Sequence, residues 1–351
     1  MKTCIIDPHV HARGIEYANH RFLNLVIRDC RASGIHAFFE MPNPVPQLVD
    51  LNALQARERE IIDKKGHASN DLYHWMHIGL TTDINQVYEA IKIAQTEPGI
   101  CRGIKMFLTH STGNMGLLDP SYQKLVWKAL VDAQYCGPVL MHCEDETEWH
   151  SSYVYSDPVT HSLRQNPESE YIQVERQLSF AADAGFRGIF YVCHVSNPAT
   201  FSLAKAFRHH DFEIVLEVTW HHMLLNYNDY AIHGNRVKMN PPLRSPQMQA
   251  LILEAVLNGN ASIIGSDHAP HDIKAKDGST PPSGIPALPF WPKGIEILAG
   301  LGIDQARLDK LIALNALRIF NLSIGAPSKD VQYNPDLWDS YGFNPFSRVD
   351  H

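Results

Sequence analysis

The 351-residue sequence lacks four features that would place it in other classes of protein. It has no polybasic run and carries a net charge of −8, which argues against nucleic-acid binding. Its longest apolar runs are far shorter than a membrane span requires. Its six cysteines are scattered without C-x-x-C spacing, and no signal-peptide pattern is present. We therefore expect a cytoplasmic protein with reduced thiols that contacts neither nucleic acid nor membrane.

Short apolar segments alternate with amphipathic stretches of helical period, and 44% of the residues are hydrophobic. Eight strands alternating with helices predict an α/β fold, a (β/α)8 TIM barrel. A doubly wound open sheet is the alternative, but the glycine-rich phosphate turn that it often carries is missing. The predicted strands are residues 4–9, 36–41, 74–80, 103–107, 138–142, 188–194, 213–218 and 262–266.

The barrel is predicted to occupy residues 1–322, which leaves no room for a second domain or a sizeable β-sandwich. Residues 323–351 are rich in Asp, Ser, Asn, Pro and Tyr and show no clear period. We expect this segment to be a C-terminal tail that packs on the barrel or is partly ordered.

Metal-ligating residue types recur at the ends of the predicted strands, which is where a barrel places its active site. His9 and His11 follow the first strand two residues apart, so both point to the same side of an extended chain. The fourth strand carries a lysine inside an apolar run, where an unpaired ammonium would cost several kcal/mol. The remaining members of this set are Lys105, His142, His194 and Asp267.

This set of residues fits a two-metal site. Two histidines and Asp267 would hold one ion, and the other two histidines would hold the second. A lysine carboxylated by CO2 becomes a carbamate, whose anionic oxygens could bridge both ions. Imidazole and carboxylate ligands suit Zn²⁺ best, although other divalent ions are possible.

Eight motifs give the chain a specific family resemblance. It resembles the dihydroorotases of the amidohydrolase superfamily over about residues 5–322. The motifs are DPHVHARG (7–14), MPNPVP (41–46), GIKMF (103–107), LMHCEDE (140–146), CHVSNPAT (193–200), EVTWHH (217–222), NPPLRS (240–245) and GSDHAPH (265–271).

The resemblance implies both a ligand set and a reaction. The ligands would be His9, His11, N6-carboxylated Lys105, His142, His194 and Asp267. The reaction would be reversible hydrolysis of (S)-dihydroorotate to N-carbamoyl-L-aspartate, a step of de novo pyrimidine (UMP) biosynthesis. A hydroxide bridging the two ions would attack the ring amide, and Asp267 would move the proton.

Substrate contacts also follow from the resemblance. Arg13, Asn43 and His271 would bind the substrate carboxylate, and a guanidinium offers a planar fork for that group. Thr112 lies in the loop after the lysine, which closes over substrate in related enzymes. Asn240 and Ile285 would offer backbone groups to the ring amides.

Two residues of the seventh strand region would support the site. Glu217 would be either a partner of a metal-bound imidazole or simply a carboxylate of the barrel interior. His222 would support the site or hold an extra ion, whereas His221 is interpreted as structural.

Two other functions remain open. Hydantoinases and allantoinases share the metal core, although Arg13, Asn43 and His271 argue against them. A non-catalytic scaffold for an enzyme such as aspartate transcarbamoylase would be expected to lose metal ligands, and this chain keeps all six. We expect a homodimer, with association with aspartate transcarbamoylase as a further possibility.

Overall fold

The computed structural model describes residues 2–17, 20–66, 71–110, 115–150, 152–324, 329–330 and 332–350. Ten strands are found there. They are β1 (Lys2–Thr3), β2 (Ile5–Val10), β3 (Ile35–Glu40), β4 (Tyr73–Gly79), β5 (Cys101–Phe107), β6 (Pro138–His142), β7 (Ile189–Val192), β8 (Glu213–Thr219), β9 (Ile263–Gly265) and β10 (Lys329–Asp330).

Strands β2 to β9 form one eight-stranded sheet in chain order, and every neighbouring pair is parallel. The sheet closes where the His11 N–H donates to the carbonyl of His268 at 2.7 Å, next to a parallel bridge between Val10 and His268. The predicted (β/α)8 barrel is therefore confirmed. All eight predicted strands are present, with ends within two residues of the prediction.

Helices surround the barrel, and several begin at the caps that the sequence indicates. The side chain of Asp83 accepts from the Asn85 N–H, and that of Ser245 accepts from the Met248 N–H. The helices are α1 (Arg21–Ala32), α2 (Leu51–Lys65), α3 (Ile84–Thr96), α4 (Pro120–Asp132), α5 (Val159–Arg164), α6 (Pro167–Ala184), α7 (Ala199–Ala206), α8 (Trp220–Leu224), α9 (Tyr230–His233), α10 (Pro246–Leu257), α11 (Ile273–Lys276), α12 (Trp291–Gly300), α13 (Gln305–Asp309) and α14 (Asn315–Ile319).

The strands are buried on both faces, as expected of a parallel sheet covered by helices. Every residue of β2, β3 and β6 is buried. Because the strands run in parallel, their carboxyl ends meet at one rim of the barrel. Polar side chains at those ends are thereby brought together.

The described part of the tail packs against the barrel. Phe346 is fully buried, and its ring stacks on that of Phe290 with centroids 4.0 Å apart. The Tyr341 hydroxyl donates to the buried carboxylate of Asp29 at 2.6 Å. The division into a barrel at 1–322 and a tail at 323–351 stays a prediction. Outside the barrel, the described residues form one further sheet, the antiparallel pair β1 and β10.

None of the described helices combines the length and apolar character needed to cross a membrane.

Candidate metal centre

The residues predicted as metal ligands line one cavity at the carboxyl ends of the strands. The cavity has a volume of about 220 Å³. Each side chain reaches it from the strand at which the sequence places it, because β2, β5, β6, β7 and β9 all end there. The six residues are His9, His11, Lys105, His142, His194 and Asp267.

Three residues of the cavity adopt a left-handed backbone conformation, which non-glycine residues rarely do. The φ angles are 59° at Arg13, 39° at His194 and 46° at Asp267. All three follow the end of a strand, where the chain turns away from the sheet. Such outliers are typical of sites where the surrounding fold fixes the direction of a side chain.

The four histidines form a continuous row of imidazole rings. Ring centroids are 5.2 Å apart between His11 and His9, 5.4 Å between His9 and His194, and 4.6 Å between His194 and His142. Burial and the adjacent His142 hold the pKa of His194 well below its usual value. Neutral imidazole is the form that binds metal ions.

Asp267 lies against two of these histidines. Its Oδ1 is 3.2 Å from His9 Nε2 and 3.1 Å from His11 Nε2. Burial favours the neutral acid, but His9 and His11 keep the pKa of Asp267 well below its ordinary range. The ligand atoms of these three residues all lie within 4.8 Å of one another, a spacing at which one ion could contact all of them.

Three of the four imidazoles have their second ring nitrogen fixed by an oxygen of the protein. His9 Nδ1 donates to Glu217 Oε1 at 2.8 Å. His11 Nδ1 donates to Asn43 Oδ1 at 2.5 Å, and His142 Nε2 donates to Glu144 Oε2 at 2.8 Å. Such contacts set the tautomer and orientation of a metal ligand.

Glu217 accepts more hydrogen bonds than the other two oxygen acceptors. Besides His9 it accepts from the Tyr191 hydroxyl at 2.7 Å and from the His194 N–H at 3.0 Å. Burial lowers the pKa of His9, but the carboxylates of Glu217 and Asp267 more than offset this and raise it to about 10. The negative charge of these two carboxylates would equally favour a metal cation bound at His9 in place of the proton.

Lys105 is 1% exposed, and its Nζ donates to the Cys193 sulfur at 3.0 Å. A thiol is a weak acceptor and does not neutralise a buried ammonium. Cys193 was not predicted as a site residue. Its sulfur forms a second group of possible ligand atoms with His9 and Glu217, again within 4.8 Å. The sequence feature that could have identified Cys193 as a site residue is its position directly before His194.

Arg13 is buried beside the imidazole row. Its Nε donates to the Pro270 carbonyl at 3.1 Å, and its Nη2 lies 2.8 Å from His271 Nε2. Burial and the adjacent guanidinium lower the pKa of His271 to about 2, so this imidazole is neutral. The side-chain hydrogen bonds described for Arg13 therefore go to neutral groups. His271 contacts Arg13 and Tyr17 rather than the cavity itself.

Some of the residues predicted to contact the substrate line the cavity, and others do not. Asn43 and Asn240 line the cavity. Ile285 does not line it, and its carbonyl accepts from the Ala269 N–H at 2.8 Å. The neighbouring residues 282–284 line the cavity instead. Thr112 lies outside the described residues.

His222 is tied to the protein through both ring nitrogens. Nδ1 lies 2.9 Å from Thr219 Oγ1, and Nε2 lies 3.0 Å from the Pro241 carbonyl. The buried imidazole of His221 has no hydrogen-bond partner among the described residues. Burial lowers the pKa of His221 to about 4, against the opposing effect of Asp267. Of the two, His221 is therefore the one with unused ring nitrogens.

The fold and this donor set together define a class of protein. A (β/α)8 barrel whose strand ends bring four imidazoles, a carboxylate and a buried lysine into one cavity is the architecture of a metal-dependent hydrolase.

Comparison with known proteins makes the relationship more specific. No protein-family model matches the chain. The chain is 27% identical over 329 residues to the dihydroorotase of Halobacterium salinarum, covering 91% of this chain and 71% of that one. It is 26% identical over 278 residues to the dihydroorotase of Listeria innocua, covering 78% of this chain and 61% of that one.

Two solved structures share the fold. The L-hydantoinase of Arthrobacter aurescens matches with a TM-score of 0.75 and 20% identity, over 90% of this chain and 70% of that one. The dihydroorotase of Saccharomyces cerevisiae in complex with 5-fluoroorotic acid matches with a TM-score of 0.73 and 17% identity, over 92% and 85%. The chain is thus a homologue of the dihydroorotases among the cyclic amidohydrolases of the amidohydrolase superfamily. The resemblance drawn from the motifs is confirmed.

Proposed function

We propose that the chain is a dihydroorotase, which reversibly hydrolyses the cyclic amide of (S)-dihydroorotate to N-carbamoyl-L-aspartate. The observation that carries this proposal is the placement of Arg13. Its buried guanidinium has neutral hydrogen-bond partners among the described residues and adjoins the row of candidate metal ligands in one cavity. A cyclic amide that bears a carboxylate would fit this arrangement. Its amide would lie at the candidate metal ligands, and its carboxylate would lie at Arg13.

The residues present fit a two-metal centre. The geometry of His9, His11 and Asp267 suits one ion, and the adjacent rings of His142 and His194 suit a second. Lys105, once carboxylated, would contribute anionic oxygens to both. When bound, two divalent ions such as Zn²⁺ would lower the pKa of a water molecule and polarise the amide carbonyl.

Asp267 is the residue we assign to proton transfer. Asp267 is the carboxylate among the described residues that line the cavity, and its low pKa keeps it ionised. We assign it to accept the proton of the attacking water because of this position. It then delivers that proton to the ring nitrogen as the C–N bond breaks. In ring closure the same carboxylate takes the proton back from that nitrogen.

The substrate carboxylate is assigned to Arg13 and Asn43. The Asn43 oxygen is used by His11, so its amide N–H groups are the part left to donate to substrate. His271 acts through Arg13, since it contacts the guanidinium directly. Asn240 and the backbone near Ile285 would contact the ring amides, and Thr112 would approach from the loop after β5.

A hydantoinase or allantoinase is the second candidate, because the L-hydantoinase structure shares the fold. A substrate panel separates the two functions. The proposal predicts that the metal-loaded protein prefers dihydroorotate to dihydrouracil, hydantoin and allantoin, which lack the ring carboxylate. A preference for an uncharged ring would instead favour the second candidate. A non-catalytic scaffold would turn over none of them.

Replacing Arg13 by methionine tests the carboxylate contact. The change removes a charge-assisted bidentate donor, a loss of about 1.5–3 kcal/mol, so kcat/KM for dihydroorotate should fall roughly tenfold or more. Metal content should stay unchanged. The exposed Arg59, replaced by methionine, serves as the control and should behave as wild type. If Arg13→Met had wild-type activity, the substrate carboxylate would have to bind elsewhere.

The biological setting also remains a proposal. De novo pyrimidine synthesis in the cytoplasm, a homodimeric assembly and association with aspartate transcarbamoylase are expectations that accompany the dihydroorotase assignment.

A further inference from the structure

Lys276 is a buried lysine that the proposed mechanism does not use. It ends the one-turn helix α11 and is 1% exposed. Its Nζ donates three hydrogen bonds of 2.8–2.9 Å, to the carbonyl oxygens of Lys238, Pro282 and Gly284. These three acceptors match the three N–H groups of an ammonium.

The burial of Lys276 has a free-energy cost. Burial itself, then the nearby Lys238 and Arg13, lower the pKa of Lys276 well below its ordinary value. The three carbonyl oxygens act in the opposite direction, because only the charged form offers three donors. A methionine of similar length would fill the same space without this desolvation cost. Because an apolar side chain would avoid this cost, the role of Lys276 is to be sought in the chain segments whose carbonyl oxygens it binds.

Lys276 joins two chain segments that form one side of the cavity. We call residues 238–240 and 282–284 the cavity wall, because five of these six residues line the cavity. The Gly284 N–H donates at 2.9 Å to the Lys238 carbonyl, the same oxygen that accepts from Lys276. Lys276 therefore cross-links the two segments of the cavity wall.

The cavity wall also adjoins the guanidinium assigned to the substrate carboxylate. The Ser283 carbonyl lies 2.9 Å from His271 Nε2, which in turn lies 2.8 Å from Arg13 Nη2. A Cβ placed on Gly284 would come within 2.4 Å of the Ala269 carbonyl and 3.1 Å of Arg13 Nη2. With contacts this close, a displaced wall would also displace the guanidinium or its support.

We propose that Lys276 is a positioning residue that fixes the spacing between the cavity wall and Arg13, and so determines where the substrate ring and its carboxylate lie. The identity of that substrate rests on the proposed function. A ring held by the wall and a carboxylate held by Arg13 bind productively only when the two are correctly spaced. A misplacement of about 1 Å can lower a rate roughly 100-fold.

The test compares Lys276→Met and Lys276→Gln with Lys274→Met, an exposed lysine of the same helix. Lys276→Met should lower kcat/KM for dihydroorotate roughly 10- to 100-fold at unchanged metal content. Lys276→Gln keeps two N–H donors and should lie between this variant and wild type. Amide hydrogen exchange should become faster in peptides covering 238–240 and 282–284, and should be unchanged in Lys274→Met.

The possible outcomes separate a positioning role of Lys276 from a purely structural one. A folded Lys276→Met variant with wild-type kcat/KM overturns the proposal, even if its melting temperature falls, because the lysine would then be only structural. If Lys276→Met does not fold, the kcat/KM and hydrogen exchange of Lys276→Gln are compared with those of wild type instead. If wild type does not act on dihydroorotate, the proposed function fails separately. Faster exchange in both wall segments would then still support the positioning role, and unchanged exchange would contradict it.

Discussion

Replacing Asp267 by asparagine is expected to reduce dihydroorotate turnover by about 10²–10⁴-fold, the usual effect of losing a positioned acid–base group. The amide keeps an oxygen near His9 and His11, whose Nε2 atoms lie 3.2 and 3.1 Å from the present carboxylate oxygen. It cannot, however, take up the proton released by the attacking water. Metal content should therefore be largely retained while kcat collapses, which steady-state kinetics and metal analysis of one sample would measure.

The control for this variant is Asp63→Asn, since the Asp63 side chain is 73% exposed. It should retain wild-type kinetics and metal content. Normal turnover by Asp267→Asn with full metal would show that another group moves the proton.

Replacing Lys105 by alanine is expected to remove both bound metal and activity. The lysine is buried, its described side-chain hydrogen bond is to the weak acceptor Cys193, and it lies in the same cavity as the four histidines. The ammonium first loses one proton, and the resulting amine reacts with CO2 to give a carbamate and release a second proton. An unfavourable buried cation would thereby be replaced by an anionic ligand. Short carboxylic acids added to Lys105→Ala should restore part of the activity by supplying that anion.

The matched control is Lys124→Ala, because Lys124 is exposed. This variant should keep its metal and its activity, and added carboxylic acids should not change that activity. A Lys105→Ala variant that bound metal and turned over substrate normally would remove the carbamate from the mechanism. A metal-loaded crystal structure with an unmodified lysine would do the same.

The sequence was sufficient to predict the barrel and to place the candidate metal ligands at one rim, for a physical reason. Alternating apolar runs and helix caps determine where strands end, and parallel strands bring those ends to one rim. His9, Lys105, His142 and Asp267 could therefore be placed in one cavity without knowledge of any contact. Each was recognisable because polar residues of this kind are unusual next to an apolar strand.

The partners of these residues could not be predicted in the same way. Glu144 fixes His142, and Cys193 contacts Lys105, but both depend on side-chain directions that the strand pattern does not specify. Lys276 lies in a one-turn helix and bonds only to backbone carbonyls, so no residue pattern marks it. Ile285 was expected to offer a backbone group to the ring amides, and that contact stays a prediction. Its carbonyl accepts from the Ala269 N–H, and the three residues before it line the cavity.

The most direct test of the dihydroorotase proposal is to titrate metal-free protein with Zn²⁺ and to follow dihydroorotate ring opening and bound metal in the same sample. Activity should appear with metal and rise until about two ions are bound per chain, as a two-metal centre requires. The fully loaded protein should also close N-carbamoyl-L-aspartate to the ring. Full metal occupancy without turnover of dihydroorotate in either direction, or full turnover without metal, would contradict the proposal.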